Sequence, residues 1–284
     1  MRINKDYLRT KVNYISKEIN MNQSLIYARF FFDSFLSRLA ISKYKNKFIL
    51  KGGLYLSSVL GIDSRMTPDI DFYIKKLSIE KNNIINILEE IISLNVDDGI
   101  SFQIVNSSEI RLEDKYGGFE IKLIGKLDNI RFPFSIDIAT GDPIIPTERN
   151  YDYKCLVSQK ILPLKAYSLE SVIAEKLETV LARGITNSRS KDFYDLYILY
   201  KTQIENISIP ILKEAFFKTC EYRRFCITED EATKLISQLS VSIQTKLRWD
   251  TFTKKLNYAE GLNFSEIING LNFWINIIYK NNNY

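Results

Sequence analysis

The stretch KGGLYLSSVLGIDSRMTPDIDFYIK, residues 51–75, contains two adjacent glycines and, further on, two aspartates at alternate positions. Residues two apart in a strand point to the same face, so Asp69 and Asp71 would lie side by side while Ile70 and Phe72 face the other way. Adjacent carboxylates repel each other, and a divalent cation would offset that repulsion. The spacing favours either a metal site on a strand or a loop with solvated charges.

Gly52 and Gly53 stand between a short apolar strand, KFIL, and a predicted helix that ends at Gly61. Glycine lets the backbone approach a ligand closely, and the free N–H groups at the start of a helix favour phosphate. Lys51 and Arg65 flank the turn and the helix and are further candidate contacts for a nucleotide. The order strand, Gly-Gly, helix, Asp-x-Asp strand therefore predicts NTP phosphates on the turn and metal ions on the aspartates.

A third candidate carboxylate, Asp137, lies in FPFSIDIATGD between Ile136 and Ile138. A charged side chain within an alternating strand is costly unless its face of the sheet is polar. On a strand next to the Asp-x-Asp strand, it would complete a three-carboxylate site for two-metal nucleotidyl transfer. The chain has no histidine, and its three cysteines lack CxxC spacing, so we expect Mg²⁺ (or Mn²⁺) on oxygen ligands rather than zinc.

A candidate cation follows in LESVIAEKLETVLAR, residues 169–183, which predicts an amphipathic helix. On the helical wheel, Lys176 falls within the apolar arc and Arg183 lies beside it. A lysine on a buried side is costly unless it meets an anion, either a nucleotide phosphate or a carboxylate in a salt bridge. Glu175 and Glu178 fall outside the arc, and we expect them on a solvated face.

A further candidate acid lies in SRSKDFYDLYIL, at the start of the next predicted helix. Asp192 is in line with Leu196 and Leu199, which would turn it inward, although an acid in the first turn of a helix is also favourable simply as a dipole partner. Asp195 is the competing choice. Any of Asp192, Asp195 and Asp137 could orient or deprotonate the hydroxyl of an acceptor.

The elements that must position these residues follow one another in three regions. Residues 1–45 have helical periodicity, and residues 46–150 alternate predicted strands and helices. Within the second region, GFEIKLIG and IRFPFSIDIAT predict strands joined by a hairpin turn at KLDN. From YSLESVIAEKLETVLAR onward the pattern is almost entirely helical. We therefore predict an α+β protein with a small mixed sheet in an N-terminal lobe, residues 1–155, and a mainly helical lobe, residues 156–284.

The positive charge is concentrated near the N-terminus. Residues 1–50 hold ten Lys/Arg and three Asp/Glu, a balance of +7 in a chain whose net charge is +5. Such a bias is either a set of solvated helix faces or a docking surface for RNA. No secretory signal precedes the helices, and charged residues interrupt the apolar segment LIYARFFFDSFLSRLAIS, which argues against a membrane span. We expect a cytoplasmic protein.

Two sets of motifs resemble known families. KGG…DIDFYI followed by SIDI resembles the polymerase-beta-like nucleotidyltransferases, and YSLESVIAEKLETVLAR with KDFYDLYIL and LRWDTFTKKL resembles the AbiEii/AbiGii-type nucleotidyltransferase toxins. The resemblance implies that Lys176 and Asp192 belong to the active site and that Arg183 and Arg189 contact phosphate. Some relatives have serine at the position of Asp69, which puts more weight on Asp71.

This resemblance also implies a bilobed fold and a role in phage defence by abortive infection, as the toxin of a type IV toxin–antitoxin pair. The expected reaction transfers NMP from an NTP, with GTP or a pyrimidine NTP as donor, to RNA, with the tRNA 3′ end as acceptor. The expected antitoxin represses transcription without stable binding, and we expect the toxin to be a monomer. Two alternatives stay open: nucleotidylation of a small molecule or protein, and a non-catalytic NTP- or RNA-binding module.

Overall fold

The chain divides into two compact units. In the computed structural model the described residues are 3–61, 65, 67–75, 77, 80–110 and 117–280. The sheet unit comprises Met1–Gly141 and Arg149–Ala166, and the helical unit comprises Asp142–Glu148 and Tyr167–Tyr284. The predicted α+β class, with N-terminal helices, a mixed sheet and a helical C-terminal region, is confirmed.

The strands of the sheet unit that the structure describes form one seven-stranded sheet. They are β1 (Phe48–Lys51), β2 (Asp69–Ile74), β3 (Ser101–Ile110), β4 (Gly118–Leu127), β5 (Ile130–Ala139), β6 (Arg149–Lys154) and β7 (Ile161–Ala166). Their order across the sheet is β3-β4-β5-β2-β1-β7-β6, with β2 parallel to β5, β1 parallel to β7 and the other neighbours antiparallel. The predicted hairpin between β4 and β5 is confirmed, whereas β6 and β7 were not predicted.

Helices of the sheet unit cover one face of this sheet. They are α1 (Lys5–Glu18), α2 (Gln23–Ile41), α3 (Gly52–Leu60) and α4 (Lys81–Ser93). The phenylalanines of α2 pack on those of the strands: Phe31 stacks on Phe132 with ring centroids 5.6 Å apart, and Phe35 lies 6.2 Å from Phe72. Because one face is buried under α2, polar side chains of the strands must turn to the opposite face.

The helical unit is built from amphipathic helices around two buried tryptophans. The helices are α5 (Leu169–Arg183), α6 (Ser190–Gln203), α7 (Ile209–Tyr222), α8 (Glu229–Val241), α9 (Ile243–Lys255) and α10 (Phe264–Tyr279). Trp249 and Trp274 are almost completely buried, and the indole N–H of Trp274 donates to the carbonyl of Leu196 at 2.9 Å. Over the part of the chain that is described, no helix has the length and apolarity needed to cross a membrane.

Candidate active site

The alternation predicted for β2 is present in the structure. Ile70 and Phe72 are 0% and 1% exposed on the face that α2 covers, whereas Asp69 and Asp71 are partly exposed. Both aspartates therefore point away from the apolar core, on the open face of the sheet. This open face carries the polar side chains of β2.

A row of paired residues crosses four strands at Asp71. Asp71 pairs with Asp137 on β5 and with Lys51 on β1, and Asp137 pairs in turn with Glu120 on β4. Residues opposite each other on neighbouring strands share a face. The structure thus brings Asp69, Asp71 and Asp137 onto one face. Glu120 lies on the same face. This acid was not predicted as a site residue, although Glu120 alternates with buried residues in GFEIKLIG.

The Gly-Gly turn lies directly against Asp71. The N–H of Gly53, at the start of α3, donates to Oδ2 of Asp71 at 3.1 Å. A Cβ added at Gly52 would collide with the same carboxylate, and the backbone of Gly52 has φ +63°, a conformation that glycine adopts without strain. A Cβ at Gly53 would lie 2.6 Å from the hydroxyl oxygen of Thr67, which itself donates to Asp69. Glycine at both positions allows the turn and the acidic strand to touch.

The two other predicted nucleotide contacts of the sheet unit are buried. Lys51 ends β1 and is 6% exposed, on the same face as its partner Asp71. Arg65 is 3% exposed. The role of both side chains as phosphate contacts stays a prediction.

A divalent metal is the cofactor that nucleotidyl transfer commonly uses, and its fit can be tested on the donor atoms. Asp69, Asp71 and Asp137 supply the carboxylate oxygens that Mg²⁺ and Mn²⁺ prefer, and they share one face of the sheet. Among the described residues, however, no three acidic or cysteine side chains converge closely enough to hold an ion. The donor chemistry fits, and the assignment of these three residues as metal ligands stays a prediction.

In the helical unit, Lys176 meets the two acids that competed in the sequence analysis. Its Nζ lies 2.7 Å from Oδ1 of Asp192 and 2.7 Å from Oδ2 of Asp195. The side chains of Asp192 and Asp195 are 4% and 0% exposed. The anion that Lys176 meets within the unit is therefore a pair of carboxylates, and both acids face inward.

The two arginines proposed as phosphate contacts are exposed. Arg183 lies in the last turn of α5, where a cation is favourable next to the C-terminal end of the helix dipole. Arg189 precedes α6, and its Nε lies 3.0 Å from Oδ2 of Asp192. Arg189 therefore extends the Lys176 cluster to the surface, whereas Arg183 stands at the end of the same helix as Lys176.

The prediction that Glu175 and Glu178 lie on a solvated face is wrong. Arg223, at the end of α7, contacts Glu178 at 2.5 Å, Asp142 at 3.0 Å and Glu175 at 3.7 Å. Burial raises the pKa of the Glu178 carboxyl above its usual value, although the nearby Arg223 guanidinium acts in the opposite direction. The helical wheel could not show this, because the partner helix α7 covers the side of α5 that reads as polar.

The basic residues near the N-terminus include two that serve the fold. Arg29 is buried, with its Nε 3.4 Å from Asp33, and Arg38 is buried with its Nη1 2.8 Å from Asp98. Both belong to α2, on the face of the sheet opposite the acidic row. Part of the N-terminal positive charge is therefore neutralised inside the sheet unit.

A mixed sheet with a Gly-Gly turn before a helix and acids on two adjacent strands is the arrangement of a nucleotidyltransferase. Residues 34–269 match the sequence profile of the nucleotidyl transferase AbiEii toxin of type IV toxin–antitoxin systems, and the chain belongs to this family. Membership implies a nucleotide substrate and an antitoxin partner. None of the curated proteins matches the chain.

Solved structures from Helicobacter pylori resemble this one. A candidate nucleotidyltransferase is 16% identical, with a TM-score of 0.50 over 91% of this chain and 96% of that one. The protein JHP933 is 17% identical, with a TM-score of 0.49 over 90% of this chain and 92% of that one. At 16% identity, the resemblance to the first of these two structures is evidence for a shared fold and for nothing more.

Proposed function

We propose that this toxin transfers NMP from an NTP to RNA and thereby halts growth. GTP is the first donor to test and a pyrimidine NTP the second, and the tRNA 3′ end is the proposed acceptor. The observation that carries the proposal is the contact between Asp71 and the N–H of Gly53, beside Asp137 on the next strand. In this contact, a turn of the kind that binds phosphate touches an acid of the kind that holds a catalytic metal.

In the sheet unit, Asp69, Asp71 and Asp137 are the proposed ligands of Mg²⁺ (or Mn²⁺). A bound metal would neutralise phosphate charge and bring the triphosphate to the acids. The backbone N–H groups of Gly52 and Gly53 and the cations of Lys51 and Arg65 are the proposed phosphate contacts. The partial positive charge at the start of α3 supports this role, since it favours an anion there.

In the helical unit, Lys176 is proposed to offset charge on the transferring phosphoryl group. Two carboxylates at 2.7 Å favour its protonated form, so it suits charge neutralisation better than the role of a base. Asp195 is fully buried and would hold Lys176 in position, which leaves Asp192 to orient the acceptor hydroxyl. Arg183 and Arg189 are exposed cations that would contact phosphates of the substrates.

The biological setting that we propose is phage defence by abortive infection. The toxin would act in the cytoplasm as a monomer, and its cognate antitoxin would repress transcription without binding the toxin stably. If the antitoxin acts only on transcription, adding it to the purified toxin will leave the transfer rate unchanged.

A transfer assay tests the proposal. The protein is incubated with Mg²⁺, total bacterial RNA and each of the four α-³²P-labelled NTPs in turn, beside Asp71→Asn and the control Asp152→Asn. Asp152 is an exposed acid on the edge strand β6. Its variant makes the same change in charge as Asp71→Asn, but away from the acidic row. We expect label in a tRNA-sized band with one NTP, retained in the control and lost with Asp71→Asn or with EDTA.

Other outcomes decide between the alternatives. Label that stays with protein or with small solutes would indicate a different acceptor. Tight NTP binding without release of pyrophosphate would indicate a binding module. An Asp71→Asn protein that is still active and toxic would contradict the assignment of the site.

A further inference from the structure

The open face of the sheet continues beyond the acidic row onto β5, β4 and β3. Asp137 pairs with Glu120, and along the same face Ser135 pairs with Lys122 and Arg131 pairs with Lys126. Across the next strand pair, Lys122 is opposite Asn106 and Lys126 is opposite Ser101. The face that holds the acids at one end therefore carries three cations further along: Lys122, Lys126 and Arg131.

These cations are available to a partner. Lys122 and Arg131 are exposed and Lys126 is partly exposed. Lys122 lies 3.5 Å from Glu120, and the Nζ of Lys126 donates to the amide oxygen of Gln103 at 2.9 Å, so neither is buried in an internal salt bridge. A surface ion pair of this kind is weak and can be exchanged for phosphate at little cost.

The distances suit a nucleic-acid strand whose end reaches the acids. Strands rise about 3.4 Å per residue. By that measure, Lys122, which is paired with Ser135, lies roughly 7 Å along the strands from Asp137, and Arg131 lies roughly 20 Å from it. The charge thus changes from negative at the acidic row to positive over a length that would accommodate a few nucleotides.

The basic N-terminal region is the competing docking surface. Its residues Arg29 and Arg38 are buried in ion pairs, and α2, which carries them, lies on the opposite face of the sheet. The cations of this region that are partly or fully exposed are Lys5, Arg9, Lys11 and Lys17 on α1 and Lys43, Lys45 and Lys47 before β1. Lys122, Lys126 and Arg131, by contrast, share a face of the sheet with Asp71 and Asp137.

We propose that Lys122, Lys126 and Arg131 bind the phosphates of the single-stranded 3′ segment of the RNA acceptor and lead its terminal hydroxyl to the acidic row. This inference rests on the proposed function and names the acceptor surface. All residues of β3, β4 and β5 are among those described, and the residues of these three strands that share the face of Lys122, Lys126 and Arg131 include no aromatic side chain. The contact is therefore with the backbone rather than with stacked bases, so it is independent of sequence.

Binding and transfer are measured on variants matched in charge. One is Lys122→Ala/Lys126→Ala/Arg131→Ala, and its control is Arg9→Ala/Lys11→Ala/Lys17→Ala on α1. A 5′-fluorescent single-stranded RNA is titrated at several salt concentrations. We expect the sheet-face variant to bind the RNA at least about ten-fold more weakly. The slope of log K plotted against log salt concentration should become shallower by about 2, because each phosphate contact to a single strand contributes about 0.7 to that slope. Its KM for the RNA acceptor rises, while kcat at saturating RNA and KM for the NTP do not change.

Two further controls test whether binding depends on charge and whether it depends on the RNA sequence. Lys122→Arg/Lys126→Arg keeps both positive charges and should keep the salt slope of the unchanged protein, because that slope depends on the number of phosphates neutralised. Permuting the RNA sequence should leave the affinity unaltered.

The outcomes separate the two proposals. If the sheet-face variant keeps its affinity and salt slope, or the α1 variant loses them instead, the acceptor surface is wrong while the transferase function stands. If the unchanged protein neither binds nor labels RNA, the proposed function fails and this inference fails with it.

Discussion

The helical unit and the open face of the sheet hold their acidic side chains in different ways. In the helical unit, Asp192 and Asp195 share Lys176, and three acids surround Arg223 at 2.5 to 3.7 Å. On the sheet, the partly exposed Asp69 and Asp71 accept hydrogen bonds from a hydroxyl and a backbone N–H. Removing one partner of a buried ion pair is strongly destabilising, whereas a partly exposed acid can be changed at little cost. Variants of the first kind should therefore lower stability, whatever they also do to activity, whereas variants of the second kind should lower activity with little loss of stability.

The largest effect is expected for Arg223→Met. It leaves Asp142, Glu175 and Glu178 together without their cation, and we expect the free energy of unfolding to fall by about 3–5 kcal/mol. Urea denaturation measures this fall. The control is Lys218→Met on the same helix, which breaks an exposed pair with Glu221 and should leave the free energy of unfolding nearly unchanged. Equal losses in the two variants would remove the distinction between the buried and exposed pairs.

Lys176→Met should come next, at about 3 kcal/mol, because Asp192 and Asp195 stay buried without their ammonium. Adding Asp195→Asn removes one of the two buried negative charges that Lys176→Met leaves uncompensated. The double variant should therefore be more stable than the sum of the two single effects predicts. A thermodynamic cycle from urea denaturation checks this. Strict additivity would show that the contact between Lys176 and Asp195 contributes nothing.

Asp71→Asn should show the opposite balance. The amide oxygen can still accept from the N–H of Gly53, so we expect the free energy of unfolding to fall by less than it does in Arg223→Met. Transfer activity should nevertheless fall at least about a hundred-fold, because an electrostatic group at the reacting centre is lost. Gly52→Ala is the informative companion: its methyl collides with Asp71, so it should lose stability and activity together. A large loss of stability in Asp71→Asn would place this acid with those of the helical unit.

The smallest effect concerns pH and Asp98, an acid of the sheet unit that pairs with Arg38. Burial raises the pKa of Asp98, but hydrogen bonds from Arg38 and Ser34 outweigh it, and the pKa lies below its usual value of 3.8. The folded state then binds the proton less readily than the unfolded state does, so this contribution to stability is present above pH 3.8 and is lost as the pH falls below it. Thermal unfolding between pH 5 and pH 2.5 should be less pH-dependent in Asp98→Asn. An unchanged profile would contradict the contribution of this pair.

Local patterns predicted much of the fold. The alternation in DIDFYI identified β2 and the outward direction of Asp69 and Asp71, and the helical arc identified the inward direction of Lys176. Strands β6 and β7 were missed because Pro163 and the charges of RNYDYK resemble a loop, although β6 is an edge strand that needs one apolar face at most.

The missed contacts are those between segments far apart in sequence. Nothing around Glu178 indicates Arg223, because the partner comes from another helix. The neighbouring positions of Asp71 and Asp137 likewise depend on strand order, which alternation does not fix. Glu120 became visible only through that order. Residue types and spacing therefore predicted candidate residues, and strand pairing was needed to bring them onto one face.

The place of β7 in the sheet has a consequence for synthesis on the ribosome. β1 is a fully buried strand, and one of its two edges is covered only by β7. Translation proceeds at about 5–20 residues per second, so this edge waits several seconds for Ile161–Ala166 to emerge. Until then, an apolar strand with unpaired backbone groups could bind another nascent chain. The sheet is complete only after the ribosome has passed Ala166, and a chain released earlier would be a target for chaperones and proteases rather than a toxin.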